Sequence, residues 1–434
     1  MANEIIGLAC VGLLFLLLLV RVPISVALIG VSTLGIAVIT RFKVADSLLQ
    51  TVPYTFVATW TMSSIPMFLF MGFLCFHAGI TTSIFRAARI FLRRTPGELA
   101  IASIFACSGF AAVTGSSVAC AAAMGRIAIP EMLKRRYDPA LATGTLAAAG
   151  TIGALIPPSI LMIIYGTIAQ VSIVKLFAGG IALGLLTALI YCAVVIIRVL
   201  INPELAPRGD ADDHDDVGYL SAILDTWPLM LLLSGVFGGL FLGFFTPTEA
   251  GAVGAFLSMV VAAAKGSLNL AVLRSTIRET LVTTSAIIII TVGASLFTRL
   301  VAVSGISGAL EAMVATWGLD PIMVMIGIGL VYLVLGMFLE PIGTMLITLP
   351  IFIPLVNQAG YDLIWFGIIV AKFLEVGMIT PPVGINVFVI KNVVGDGIRM
   401  TTIFRGVLWF FVADLILIAA CVVWPGLITW SIPA

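Results

Sequence analysis

The sequence predicts an all-α polytopic membrane protein. It reads as two inverted-topology repeats, each with five spanning helices, an interfacial arm helix and a re-entrant hairpin. Three observations lead there. Hydrophobic residues fill 61% of the 434 positions and charged residues only 10%, with a mean hydropathy of +1.22. A soluble domain is about 45–50% apolar and about 25% charged, so no water-soluble fold could hide this much apolar surface. Long apolar runs follow one another along the chain, and the second half repeats residues of the first at a constant offset. Together these exclude a cytosolic enzyme, a nucleic-acid binder and a disordered scaffold. With 22 Lys and Arg against 21 Asp and Glu, only the distribution of charge carries information.

A helix needs about 20 apolar residues to cross a bilayer. Such runs lie near 5–20, 23–40, 58–79, 139–169 and 173–200, and again near 226–245, 249–264, 281–302, 362–394 and 406–429. The chain opens Met1-Ala2-Asn3-Glu4 with no basic residue before its first run, which predicts a retained first span and no cleaved leader. Segments 44–55 and 267–280 mix charge with apolar residues and predict interfacial helices. The strongly acidic stretch 202–219 predicts a solvated linker over 202–225, between a first repeat at 1–201 and a second at 226–434. Its acids could also hold a metal, but an aqueous loop is the simpler reading. The six cysteines, Cys10, Cys75, Cys107, Cys120, Cys192 and Cys421, show no metal-ligand spacing and read as small core residues. Only two histidines, His77 and His214, are present, too few for a histidine-based centre.

Two apolar stretches, 98–133 and 321–356, are too long for one span. Each is interrupted near its centre, by Gly115-Ser116-Ser117 and by Pro341-Ile342-Gly343-Thr344. Their flanks differ in charge. Arg86, Arg89, Arg93, Arg94, Lys134, Arg135 and Arg136 surround the first, whereas 303–320 and 355–362 hold no Lys or Arg. Basic loops stay in the cytoplasm, so the first stretch starts and ends inside and the second starts and ends outside. Re-entrant hairpins over 98–133 and 321–356 satisfy both. The N-terminus is then periplasmic, the linker cytoplasmic and the C-terminus periplasmic.

The halves match in detail. Ile127, Ile129, Pro130, Tyr137, Asp138, Ala147, Gly153, Pro157 and Pro158 recur 224 positions later as Ile351, Ile353, Pro354, Tyr361, Asp362, Ala371, Gly377, Pro381 and Pro382. This predicts an internal duplication. The diprolines fall inside the runs 139–169 and 362–394, which are therefore broken helices. Proline removes a backbone donor and frees a carbonyl, and irregular backbone at membrane depth is tolerated only against protein or a watery cavity. One such break is more simply a kink or a close-packing device. Four breaks at matching places predict a midplane site for a dehydrated Na⁺ or a carboxylate, with alternating access around it.

The same residues resemble the large membrane subunit of TRAP transporters, the tripartite ATP-independent periplasmic type. Phe245-Thr246-Pro247-Thr248-Glu249-Ala250-Gly251-Ala252-Val253-Gly254-Ala255 is similar to the string that opens that family's second half. Gly109 to Gly115-Ser116-Ser117, Ile129-Pro130, Tyr137 and Leu155-Ile156-Pro157-Pro158-Ser159 resemble its first-half pattern. The resemblance covers nearly the whole chain. It implies a bacterial or archaeal inner-membrane protein, not an enzyme, that imports organic acids such as C4-dicarboxylates or sialic acid. It implies Na⁺ as coupling ion with no cofactor, a soluble periplasmic solute-binding protein, and a small four-helix membrane subunit as a separate chain. The implied mechanism is an elevator, in which a transport domain holding both hairpins moves against a scaffold.

For Na⁺, Ser116 and Ser117 at the first hairpin tip are expected to face Gly150, Thr151 and Gly153; a second site would join Gly343 and Thr344 to Gly377, Thr380 and Gly384. Hydroxyls and freed carbonyls suit a hard cation. Charges inside apolar segments are costly and point to function: Arg126, Glu340, Lys372, Glu375 and Lys391. Lys372 and Glu375, three apart, are expected to pair. Arg126 either clamps a substrate carboxylate or serves a structural salt bridge. Glu340 either caps the turn or lines the site, and Asn386 is a candidate substrate contact. Trp365, Trp409, Trp424 and Trp430 read as interfacial anchors, and Thr246-Pro247-Thr248-Glu249 as a helix start. Three rivals stay open: a stand-alone Na⁺- or H⁺-coupled anion transporter, an ion channel, and an intramembrane enzyme, for which two histidines supply no catalytic set.

Overall fold

The computed structural model describes residues 2–80, 82–207 and 224–432, and among these the regular structure is entirely helical. Most of the expected linker, 208–223 with His214, lies outside the described residues. The segment entering it, Pro203–Leu205, is a 3-10 turn whose Leu205 carbonyl accepts from the Asp138 N–H at 2.9 Å.

The first half runs α1 (Ala2–Leu19), α2 (Ile24–Ile39), α3 (Phe42–Val57), α4 (Ser64–His77), α5 (Thr82–Leu92), α6 (Glu98–Thr114), α7 (Ser117–Lys134), α8 (Pro139–Gly150), α9 (Ile160–Ala169) and α10 (Ile173–Ile201). The second runs α11 (Trp227–Phe241), α12 (Pro247–Ala264), α13 (Leu270–Ser304), α14 (Ile306–Trp317), α15 (Pro321–Gly336), α16 (Pro341–Gln358), α17 (Leu363–Gly377), α18 (Ile385–Val394) and α19 (Met400–Val423). Among the described residues, six helical segments are long and apolar enough to cross a membrane, Ile173–Ile201 and Met400–Val423 among them. α9 and α18 have 10 residues each and rise only about 15 Å. That is half of a hydrocarbon core of about 30 Å.

The sequence chemistry accounts for these boundaries. α12 opens with a capping box: the Thr246 N–H donates to Glu249 Oε2 at 2.8 Å, the Glu249 N–H donates to Thr246 Oγ1, and Pro247 takes the first helical position. α8 and α17 start at Asp138 and Asp362, whose side chains accept from backbone N–H groups two or three residues on. The interior of the molecule is made by the helices flanking the breaks. Every residue of Ala140–Gly150 in α8 and of Trp365–Gly377 in α17 is buried. α8 carries no charged residue, and within the buried stretch of α17 only Lys372 and Glu375 are charged; the rest is mainly apolar, as a helix without a solvent face must be. α8 meets α19 through glycines, with Gly144 against the Gly406 backbone, the small-residue crossing favoured within membranes. Large apolar side chains such as Leu16, Leu200, Ile326 and Ile416 point outward, the arrangement lipid requires.

Two expectations are corrected here. The interfacial segment 267–280 is not a separate helix but the first turns of the 35-residue α13. In the first half, α3 runs through Pro53 to Val57, and a break at Ala58-Thr59 separates it from the helix that follows. The second half has no matching break, and Leu270–Ser304 runs as one helix. Trp365 is not an interfacial anchor: it is 1% exposed and stacks on Tyr361 with ring centroids 4.9 Å apart. Trp409, Trp424 and Trp430 are exposed as expected.

Candidate functional site

α6 ends at Gly115, whose φ of +59° is the left-handed helix stop that glycine tolerates. α7 begins at once, with Ser116 as its cap. The tip meets the first broken helix directly. A Cβ on Gly115 would overlap the Pro158 carbonyl oxygen, and one on Gly153 would lie 2.8 Å from the Ser116 carbonyl oxygen. One on Gly150 would lie 2.7 Å from the Ala121 methyl. Ser116 and Ser117 thus meet Gly153, whereas Gly150, expected to face the same serines, packs on Ala121 a turn further along α7; Thr151 with Gly153 forms the 3-10 turn Thr151–Ala154 ahead of the break. The base of this hairpin is stapled by Arg89–Glu131 at 3.0 Å and Arg135–Glu98 at 2.8 Å.

The second hairpin turns at 337–340, just before the expected Gly343-Thr344. Helix-start chemistry explains the shift: Glu340 caps α16 by accepting from the Gly343 N–H at 2.9 Å, and Pro341 takes the first helical position. Gly343 and Thr344 are therefore in the first turn of α16. Gly343 packs on Ile24, while Gly377 faces Gly336, where a Cβ would lie 2.7 Å from the Gly336 Cα. The glycine that meets Gly377 is one the sequence does not single out. The second break closes locally: the Thr380 hydroxyl donates to the Val376 carbonyl at 2.6 Å, and the Asn386 N–H donates to the Met378 carbonyl at 3.0 Å. Gly384 restarts the chain at φ +60°. Asn386 is buried, and its Nδ2 donates to the Ala147 carbonyl of α8, joining the two broken helices. Both diproline bonds, Pro157-Pro158 and Pro381-Pro382, are cis.

A cavity of about 770 Å³ opens between the two tips, lined by Ser116, Ser117, Arg126, Glu340, Glu375 and His77 among others. Glu340 both caps its turn and lines this space. Arg126 has no ion pair among the described residues and presents the one guanidinium on the cavity wall. Its five donors match a carboxylate. Across the cavity, His77 Nε2 lies 3.2 Å from Glu279 Oε2.

The charges deeper inside are arranged differently from expectation. Lys372 does not pair with Glu375. Its Nζ donates to Asp414 Oδ1 at 2.6 Å, and both side chains are fully buried. Asp414 Oδ2 accepts from Tyr191 Oη at 2.6 Å, and Tyr191 Oη lies 3.2 Å from Thr151 Oγ1. A buried chain therefore runs from α17 through α19 and α10 to the 3-10 turn of the first break. Asp414 and Tyr191 are the residues missed in the sequence, although a lone acid at the centre of the run 406–429 is itself a signal. Lys391 is a helix end device: its Nζ donates to the Gly395 and Ile398 carbonyls at 2.6 and 3.1 Å.

Comparison with known proteins gives a concordant picture. The family model described as "Tripartite ATP-independent periplasmic transporter, DctM component" matches residues 11–427. The chain is 37% identical over 339 residues to a C4-dicarboxylate TRAP transporter large permease protein of Pseudomonas aeruginosa, covering 77% of this chain and 78% of that one. It is 30% identical over 377 residues to a sialic acid TRAP transporter large permease protein of Vibrio cholerae, covering 85% of each. Among solved structures, the YdaH transporter of Alcanivorax borkumensis shares the fold at a TM-score of 0.61 and 16% identity, over 90% of each chain.

Proposed function

We propose a Na⁺-coupled uptake function for this chain, which belongs to the family of the DctM component of tripartite ATP-independent periplasmic transporters. The family is one of membrane transporters, not enzymes. The substrate is an organic acid, a C4-dicarboxylate, sialic acid or similar carboxylate. It is handed over by a periplasmic solute-binding protein, in a complex completed by a small four-helix membrane subunit. The chain sits in the inner membrane with both termini periplasmic and the linker cytoplasmic. Residues 1–201 and 226–434 are the two inverted repeats.

The observation that carries this reading is the cavity between the tips. Ser116 and Glu340, 224 positions apart, each cap the helix that leaves a hairpin tip, and each lines that cavity. Gly153 and Gly377, also 224 apart, each sit at the break that backs a hairpin, against Ser116 and Gly336 respectively. Two hairpins and two broken helices thus enclose one space, with freed carbonyls and hydroxyls of the kind a dehydrated Na⁺ takes. Arg126 supplies the charge an acid needs. The proposed motion is an elevator, a reading supported by the packing of hairpins against broken helices.

The test is uptake of labelled C4-dicarboxylate or sialic acid into vesicles holding the complex, under an imposed Na⁺ gradient with the binding protein present. Ser117→Ala and Thr380→Ala should each raise the Na⁺ midpoint by about fivefold, the effect of one lost contact worth about 1 kcal/mol. Unchanged Na⁺ dependence in both would reject the two cation clusters. Uptake without the binding protein would instead favour a stand-alone transporter.

A further inference from the structure

We propose that Glu375 is the fixed anion of the cation site, placed between the two clusters and serving both. This rests on the Na⁺ reading above and deepens it: the sites are not built from neutral oxygens alone.

Glu375 is 1% exposed, lines the inter-hairpin cavity and has one oxygen, Oε2, with no hydrogen-bond partner. Its neighbour is the Ser117 side chain at the first hairpin tip. On its own helix it stands two residues before Gly377 of the second cluster. The carboxyl therefore touches one cluster in space and adjoins the other in sequence.

The charge count leaves room for a cation. Among the described residues the buried ionic groups are Lys372, Asp414 and Glu375. Lys372 is committed to Asp414 at 2.6 Å, with its Nζ also 5.4 Å from the Tyr191 ring centroid. That pair is neutral, which leaves Glu375 to be neutralised by a proton or by a bound cation. A buried carboxylate with a free oxygen is costly, and a Na⁺ entering from the cavity that Glu375 lines can take the place of the neutralising proton. The internal match points to the same role. The position 224 residues earlier is Thr151, in the first cluster, whose hydroxyl is taken up by the Ala148 carbonyl and by Tyr191. At the matching place in the second half the chain carries an anion with an open ligand position.

The experiment follows thermal unfolding of the purified full-length chain as NaCl replaces choline chloride at constant ionic strength. Wild type should melt higher as Na⁺ rises. Glu375→Gln should melt at or above wild type without Na⁺, because a stranded charge is gone. Its Na⁺ midpoint should rise by about tenfold, the effect of one charge-assisted contact. Glu375→Asp keeps the charge and should keep the Na⁺ response with a shifted midpoint, which preserves the test if the Gln variant does not fold. An unchanged midpoint in either variant overturns the proposal. So does a Glu375→Gln protein that melts lower without Na⁺ yet keeps its full Na⁺ increment, since that is a packing role. If wild type responds to Na⁺ and only the Glu375 result fails, the two clusters stand without this anion. A wild type with no Na⁺ response overturns the clusters and the anion together.

Discussion

Replacing Asp414 with alanine should destabilise the protein by about 3–5 kcal/mol, the cost of leaving a buried charge without its partner. Asp414 and Lys372 are both fully buried, with Nζ and Oδ1 2.6 Å apart, so water cannot replace the lost carboxylate. The deletion also removes the acceptor of the Tyr191 hydroxyl and frees the tyrosine that braces Thr151. The loss should appear as a lower melting temperature and a smaller monodisperse fraction in detergent. The double variant Lys372→Met, Asp414→Leu removes both charges and should recover most of the loss, because an apolar pair of similar volume replaces an ion pair at little cost. A double variant as unstable as Asp414→Ala would mean that shape, and not charge, holds this junction. In transport the two should still differ from wild type: with Tyr191 released, the 3-10 turn at Thr151 loses its lateral support.

The contrast between this ion pair and the hairpins shows what the sequence makes legible. Helix stops and starts are local chemistry. Gly115-Ser116, Glu340-Pro341 and the two diprolines each act within three or four residues, and the breaks at 115–116, 155–159 and 378–384 fall where those residues put them. The pairing of the first tip with Gly153 is also legible, since small residues at both faces permit one close approach. Long-range partners were not. Spacing of three on α17 points Lys372 at Glu375, but Asp414 from a helix 42 residues further on takes the lysine. Gly336 takes the place beside Gly377 for the same reason: which face of α15 meets α17 is decided by packing, not by any local motif. α13 shows the converse, where an amphipathic stretch without a breaker simply continues into the span.

Gly115→Ala should nearly abolish uptake, by tenfold or more, and Gly318→Ala makes the decisive control. Both glycines have φ of +59°, so both substitutions carry the same left-handed strain of about 1–2 kcal/mol. They differ in what the new methyl meets. At Gly318 nothing lies within 4 Å, whereas at Gly115 the methyl overlaps the Pro158 carbonyl oxygen. That neighbour is backbone within a buried diproline, so no side-chain rotation can relieve the contact. Overpacking of this kind costs about 1–3 kcal/mol more, and the relief available is withdrawal of the hairpin tip from the break. Ser116 and Ser117 would move with it, away from Gly153. The proposed cation cluster would then open even in a molecule that still folds. Gly318→Ala should therefore lower the melting temperature slightly and leave uptake within about twofold of wild type, as strain without displacement predicts. Gly115→Ala should lose uptake and the Na⁺-dependent rise in melting temperature together. Equal uptake in the two variants would show that the tip does not need to seat against Pro158. The contact between first hairpin and first break would then be packing alone.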